Sequence, residues 1–159
     1  MFNFKDEKGD LRFMKAAYWS KINSLELVET EIPELRDDDV LLKIAYCGIC
    51  DNDMQIITGG YPPLQPPKFL GHEYSGVIEK VGKNVTDFKV GQRVIANMQD
   101  FCGHCWYCHN GLEHFCANKN TVSGAFAEYV VTPQNTLEVL LHWHHNTTHI
   151  FFHFHHLQT

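Results

Sequence analysis

At 159 residues, 44% apolar and 20% charged, the chain has the composition of an ordinary folded protein with room for one core and an appendage, not for two full-sized domains. Its formal net charge of -6 argues against a nucleic-acid or anionic-membrane surface, which needs clustered Lys and Arg, and leaves small molecules or proteins as partners. No stretch of about 20 apolar residues is present to form a membrane-spanning helix.

The first thirteen residues carry Lys5, Asp6, Glu7, Lys8 and Asp10, so they lack the apolar centre of a signal peptide and read as an N-terminal extension, 1–13. The expected location is cytoplasmic, where thiols stay reduced. The six cysteines are then metal ligands or small buried hydrophobes, not disulfide partners.

From Met14 the strands begin. Met14–Trp19 reads as the first and Leu25–Glu31 as a second, half-exposed one. Val40–Cys47 is the strongest, with Val40, Leu42, Ile44 and Tyr46 expected on one face. Met54–Ile57 reads as a short helical turn, ended by Gly59-Gly60. Pro62-Pro63 and Pro66-Pro67 then hold an extended loop, because each proline lacks a backbone donor and restricts its predecessor. Further strands are expected at Val77–Val81, within Gly91–Met98, and at Ala125–Thr132, with a cysteine- and histidine-rich loop between Gly103 and Phe115. Short strands punctuated by Gly, Pro, Asn and Asp predict a mostly β barrel or sandwich with few short helices.

Past Leu140 the composition changes. Seven of the eleven histidines lie between His142 and His156, and no Asp, Glu, Lys or Arg follows Glu138. The segment 140–159 reads as a divergent tail, frame-shifted or disordered, with a histidine-rich metal tract as the alternative.

The most specific signal is Cys102-x-x-Cys105-x-x-Cys108 followed by Cys116. Two-residue gaps let one loop wrap its sulfurs around one ion, so four thiolates predict a closed tetrahedral zinc site, structural because no position stays open. His104, His109 and His114 share the loop and are expected in solvent.

Cys50 and His72 suggest a second zinc, with Glu73 as a third protein ligand and an open place for water or substrate. Asp53 is placed to accept the free ring N–H of His72, which fixes the tautomer and raises ligand basicity. A helix-cap or turn role is its alternative. Cys47, on a strand, is expected to be a small buried hydrophobe.

With these motifs in hand, the chain from about Met14 to Val139 resembles the zinc-containing medium-chain alcohol and polyol dehydrogenases. Gly71-His72-Glu73-x-x-Gly76, then Gly82 and Val85, resembles that family's zinc signature. Gly48-Ile49-Cys50-x-x-Asp53 resembles its first-ligand segment, and Cys102, Cys105, Cys108 and Cys116 resemble its structural-zinc lobe. The resemblance implies a GroES-like, partly open β-barrel over 14–139 with a zinc-binding loop lobe. It also implies one catalytic and one structural zinc, catalytic roles for Cys50, His72, Glu73 and Asp53, and an alcohol or polyol substrate. Relatives carry a following Rossmann domain that binds NAD(P). No Gly-x-Gly-x-x-Gly occurs in the 159 residues, so that domain is expected to be absent and the chain inactive alone.

Two positions depart from the family pattern. Asn52 stands where relatives often place a proton-relaying Ser or Thr, and Asp51 would disfavour a nearby pyrophosphate. The alternatives are a stand-alone zinc-binding β module or interaction protein and, more distantly, a zinc-ribbon nucleic-acid binder, which the acidic charge disfavours. Apolar surface left by a missing domain makes a homo-oligomer an expected state.

Overall fold

The computed structural model describes residues 12–140, so most of the extension 1–13 and nearly all of the tail 140–159 lie outside the described residues. In chain order the elements are β1 (Phe13–Lys21), β2 (Ser24–Glu31), β3 (Asp39–Gly48), α1 (Asp51–Ile57), β4 (Lys68–Phe69), β5 (Glu73–Val81), β6 (Arg93–Ala96), β7 (Gln99–Asp100), α2 (Trp106–His109), β8 (Asn120–Thr121), β9 (Tyr129–Pro133) and β10 (Leu137–Val139), with 3-10 turns at Glu113–Phe115 and Gln134–Thr136.

Five strands form one antiparallel sheet in the order β10-β6-β5-β3-β9, and three form another in the order β2-β1-β4. The two sheets meet along one seam. Ala16 bridges Ala127, the Ala17 N–H donates to the Phe126 carbonyl at 2.7 Å, and the Glu128 N–H donates to the Lys15 carbonyl at 3.0 Å. The result is a mostly β, partly open barrel-like wrap that does not close.

The inner strand β3 is buried on both faces at its start, Val40–Leu42. Val40 and Leu42 join the larger core with Ile78, Val94 and Val130, while Leu41 packs into a second cluster with Met14, Ala16 and Tyr129. Strict alternation assigns Leu41 to solvent, but at this end of the strand Met14, Ala16 and Tyr129 cover the second face.

One expectation is corrected. Tyr46 does not share the inward face with Val40, Leu42 and Ile44, because it is 59% exposed. Between Ile44 and Tyr46 the register against β5 shifts by one residue, so Ala45 is extra and every later side chain changes face. The bulge turns Tyr46 out and brings Cys47 onto the larger core.

A buried hydroxyl chain crosses that core. Tyr74 Oη donates to Thr132 Oγ1 at 3.1 Å, the two threonine hydroxyls lie 3.0 Å apart, and Thr136 Oγ1 donates to the Pro133 carbonyl at 2.7 Å. With its proton committed to Pro133, Thr136 accepts from Thr132, and each threonine hydroxyl is used once in each direction. Burial pushes the Tyr74 phenol up to about 12, which keeps it a donor. Thr132→Val is expected to cost about 1–3 kcal/mol by stranding its two partners, measured as a lower urea midpoint at unchanged slope.

Candidate metal centres

Two groups of metal-ligating side chains converge among the described residues: Cys102, Cys105, Cys108 and Cys116, and Cys50, Asp53 and His72.

The four cysteines sit on a lobe whose base is the ribbon β7–β8. Cys102 precedes a turn at Gly103, whose φ of +71° is a left-handed conformation natural to glycine. Cys105 opens the one-turn helix α2, Cys108 lies within it, and Cys116 follows the 3-10 turn. The sulfurs of Cys105 and Cys108 are 3.5 Å apart, those of Cys102 and Cys116 3.5 Å, and those of Cys102 and Cys108 3.9 Å. Four sulfurs at about 2.3 Å from one zinc stand about 3.8 Å apart along a tetrahedron's edges, so the set fits that ion without rearrangement. The His104 backbone N–H, aimed at its sulfur, brings the Cys102 thiol down to about 6. Lost solvation and the neighbouring Cys105 thiol push Cys108 up to about 12. Crowded thiols release their first proton readily and hold the last, and a divalent cation takes the place of those protons. His104, His109 and His114 are exposed and outside the sulfur group, and the His104 ring lies 2.7 Å from the Cys102 carbonyl instead.

The second group is assembled from two strand ends and a helix start. β3 ends at Gly48, Cys50 takes the N-cap of α1, and Asp53 returns its Oδ2 to the Cys50 N–H at 3.1 Å. This reciprocal capping locks Asp53 in place and leaves it fully buried. Both readings of Asp53 are therefore visible in one side chain, since the other oxygen faces the His72 ring.

His72 is delivered by the segment before β5. Gly71 has a φ of +95°, and a Cβ there would lie 2.6 Å from the Phe126 nitrogen. Only glycine allows this approach, and it is secured by the Gly71 carbonyl accepting from Gly124 at 3.0 Å and Ala125 at 3.1 Å. Gly76 faces a similar limit, with the Lys43 carbonyl oxygen 2.5 Å from any added Cβ. The signature glycines thus let β5 and its leading segment lie close against their neighbours.

The His72 ring presents its two nitrogens to different groups. Nε2 lies 3.4 Å from Cys50 Sγ and 3.9 Å from Glu73 Oε1, while Nδ1 lies 3.4 Å from Asp53 Oδ1. A sulfur and an imidazole nitrogen bound to one tetrahedral zinc stand about 3.5 Å apart, so the Cys50–His72 spacing fits a shared ion on the Nε2 side. The contact to Asp53 is long for a hydrogen bond, yet Asp53 Oδ1 is buried with no shorter partner. A buried carboxylate oxygen needs a donor, and the Nδ1–H is the one it faces. Asp53 draws the His72 pKa up against burial. Burial raises the Asp53 carboxyl, but His72 and the Cys50 N–H outweigh it and leave it below its usual range. Burial raises the Cys50 thiol despite the backbone N–H groups of Asp53 and Asn52.

Glu73 is exposed at the start of β5 and stands outside the tighter Cys50, Asp53 and His72 group, though within reach of the Nε2 side. Asn52 and Asp51 are exposed on α1. Cys47 packs on the core with its thiol pushed up to about 12, first by burial and then by the Asp53 charge, which keeps it protonated. Sequence reasoning missed Asn135, whose side chain donates to Asp100 Oδ1 at 2.6 Å and to the Phe101 carbonyl at 3.2 Å, tying down the root of the cysteine lobe. Nothing in its local sequence marks that role.

The model of the alcohol dehydrogenase GroES-like domain matches residues 36–141. The chain is 34% identical over 123 residues to D-arabitol-phosphate dehydrogenase of Enterococcus avium, an alignment covering 74% of this chain and 35% of that protein. Among solved structures it resembles an alcohol dehydrogenase of Escherichia coli complexed with NADH (TM-score 0.75, 33% identity, 82% of this chain and 39% of that one). It also resembles galactitol-1-phosphate dehydrogenase of Escherichia coli (TM-score 0.73, 31% identity, 80% and 38%). The chain therefore spans little more than a third of the length of each.

Proposed function

Because the chain belongs to the family of the alcohol dehydrogenase GroES-like domain, whose zinc-type members include alcohol and polyol dehydrogenases, we propose that it is the metal-holding, substrate-side portion of such an enzyme. In this reading Cys50, His72 and Glu73 hold the catalytic zinc and Cys102, Cys105, Cys108 and Cys116 hold a structural one. The observation that carries it is the His72 ring set between Cys50 Sγ on one nitrogen and the buried Asp53 carboxylate on the other.

A zinc ion in that place supplies Lewis acidity that lowers the pKa of a bound alcohol. The chain's own residues do the positioning. Asp53 holds the Nδ1 proton, which leaves Nε2 as the free lone pair and fixes the ring plane. Gly71 brings the ring to Cys50, and the capped start of α1 stops Cys50 from swinging away. Exposed Glu73 completes the protein side while leaving room for a substrate oxygen. Oxidation of the alcohol also requires a hydride acceptor, a role for which similar solved proteins hold NADH or NADP.

Mixing the chain with a separately expressed NAD(P)-binding domain from a relative, and following reduced nicotinamide with a panel of alcohols and sugar alcohols, tests the enzyme reading. Turnover with any of them supports it. Absence of turnover with all of them, in a chain shown to carry zinc at His72, sinks it in favour of a zinc-binding β module. Asp53→Asn is expected to weaken metal binding at this centre by about 10–100-fold while leaving the four-cysteine centre unchanged. Competition with a chromogenic chelator resolves the two, and equal loss at both centres would show a general folding defect instead.

A further inference from the structure

At the end of β5 away from His72 the surface folds into an open groove of about 530 Å³. One wall is the loop between β5 and β6, which contributes Asn84, Thr86, Asp87 and Phe88. The other is the 3-10 turn before β10 and β10 itself, which contribute Gln134, Asn135 and Leu137. β5 spans nine residues from Glu73 to Val81, so at about 3.3 Å per residue the groove lies roughly 25–30 Å along the strand from the His72 ring. It is separate from the Cys50 and His72 centre.

Both walls are fastened to the loop that leads into β3. The Asn84 N–H donates to the Asp37 carbonyl at 2.9 Å, the Gln134 N–H to the Asp38 carbonyl at 3.3 Å, and the Gly82 N–H to the Asp39 carbonyl at 2.8 Å. A groove held in this way needs little ordering to take a ligand. Its side chains have already committed their donors. Asn84 Nδ2 donates to Asp38 Oδ1 at 3.0 Å, Asn135 Nδ2 to Asp100 Oδ1 at 2.6 Å, and Thr86 Oγ1 to Asp87 Oδ1 at 3.2 Å. A carboxylate has no proton to give, so each amide must turn its nitrogen toward it and keep its Oδ1 as an acceptor. What remains for a ligand is oxygen, from Asn84, Asn135 and the second carboxylate atom of Asp87. The groove therefore suits a molecule rich in donors.

The surrounding charge has the matching sign. Asp37, Asp38, Asp39, Asp87 and Asp100 stand on the segments that build the groove, against the cations Arg36, Lys83 and Lys89. Lys83 is held by Asp37 at 2.7 Å. Burial raises the Asp39 carboxyl, Arg36 opposes that, and the Asp38 and Asp100 charges add to the rise. Four thiolates around one divalent ion in the adjoining cysteine lobe would add charge of the same sign. The field thus favours a cation over a phosphate or a carboxylate. Among cations, a guanidinium presents five donors in one plane and weakly hydrated faces, which suit several oxygens set beside apolar Phe88 and Leu137. An ammonium is a compact, strongly hydrated point charge and uses neither feature.

We propose that this groove binds a guanidinium group, that of free arginine or of an arginine side chain, with Asp87 as its counter-ion and the Asn84 and Asn135 side-chain oxygens as its acceptors. Phe88 and Leu137 form the apolar floor. The rim residues are exposed, so water screens the charges and the affinity is modest. The site uses neither metal centre, and it stands or falls separately from any dehydrogenase activity.

Amide NMR spectra of the full chain, titrated with L-arginine to about 50 mM, test it. Saturable shifts centred on residues 83–88 and 133–138 are expected. Citrulline, which keeps the shape of arginine and loses its charge, should bind at least about threefold more weakly. Asp87→Asn is expected to weaken arginine binding by roughly three- to fivefold. Gln134→Glu, which adds a carboxylate to the wall, should strengthen it, a gain that no folding defect can produce. A blocked peptide, acetyl-Gly-Arg-Gly-amide, separates the two sources: binding as tight as that of arginine identifies a side chain on a partner protein, and binding of arginine alone identifies the free amino acid. Absence of saturable shifts overturns the proposal. So does citrulline that binds as well as arginine, or an Asp87→Asn variant whose affinity is unchanged.

Discussion

Replacing one sulfur of the lobe, Cys105→Ser, is expected to lower bound zinc by one equivalent per chain and to release the segment from Cys102 to Cys116 from its fold. The reason is that this segment has almost nothing else to hold it. Between Phe101 and Asn120, Cys116 is the only buried residue, and the aromatic side chains that elsewhere would form a core are turned outward. Where a loop buries no apolar surface, metal binding is its folding free energy, on the order of 10 kcal/mol in small zinc modules. The main core should survive, because neither apolar cluster draws on the lobe except through Val122 beyond its end. Metal analysis with amide exchange checks both halves. Protection lost from the lobe alone, with the sheet amides unchanged, is the expected pattern. Undiminished zinc, or a lobe that stays protected without it, would show that the sulfurs converge for another reason. A chelator strong enough to strip the wild-type lobe should reproduce the variant.

The second large effect is expected at Gly71→Ala. A methyl group at this position meets the Phe126 nitrogen at 2.6 Å and the Phe126 ring at 2.7 Å, on a backbone with φ of +95°. Left-handed strain on a residue other than glycine costs about 1–3 kcal/mol. Overpacking against a neighbour costs about 1–3 kcal/mol more. Together they predict a loss of about 2–6 kcal/mol, seen as a fall in melting temperature of roughly 4–24 °C. The damage is not confined to stability. Phe126 sits on the seam between the two sheets, where its carbonyl accepts from Ala17, so the segment can relieve the clash only by lifting Gly71 and with it His72. Metal affinity at the Cys50 and His72 centre should fall in the fraction that remains folded. Gly91→Ala is the control, with a comparable φ of +87° and nothing within 4 Å of an added Cβ. It should cost only the backbone strain and leave the metal centre unaffected. If the two variants lose equal stability, close packing at Gly71 is not what makes glycine necessary.

Much of this was legible along the chain, and for definite reasons. The two-residue gaps between Cys102, Cys105 and Cys108 impose local geometry, since a single loop carrying three thiols at that interval brings them to a common point wherever the rest of the protein lies. Alternating apolar residues and clustered turn formers marked most of the long strands, because a half-buried strand writes its period of two into its own residues. Gly71, Gly76 and Gly82 stood out as signature glycines, although the close approaches that require them, to Phe126, Lys43, Arg36 and Asp37, could not be named from local sequence.

What tertiary structure decided were the choices between local alternatives and the meetings of distant segments. Asp53 could have been a cap or a partner to His72, and the fold makes it both by aiming one carboxylate oxygen at each. Tyr46 had the spacing of an inward residue, and a bulge that depends on the register of β5 turned it out. Asn135 and the Tyr74–Thr132–Thr136 hydroxyl chain left no mark in their neighbourhoods, because a hydrogen bond across 35 or 58 residues of chain has no period to detect. By itself, then, the sequence determined which residues offer metal-ligating side chains at metal-site spacing and which stretches extend, since those depend on spacing and side-chain type. Only the folded sheet determined which His72 nitrogen faces Cys50 and which faces Asp53, because that orientation comes from strands and turns that meet only once the chain has closed on itself.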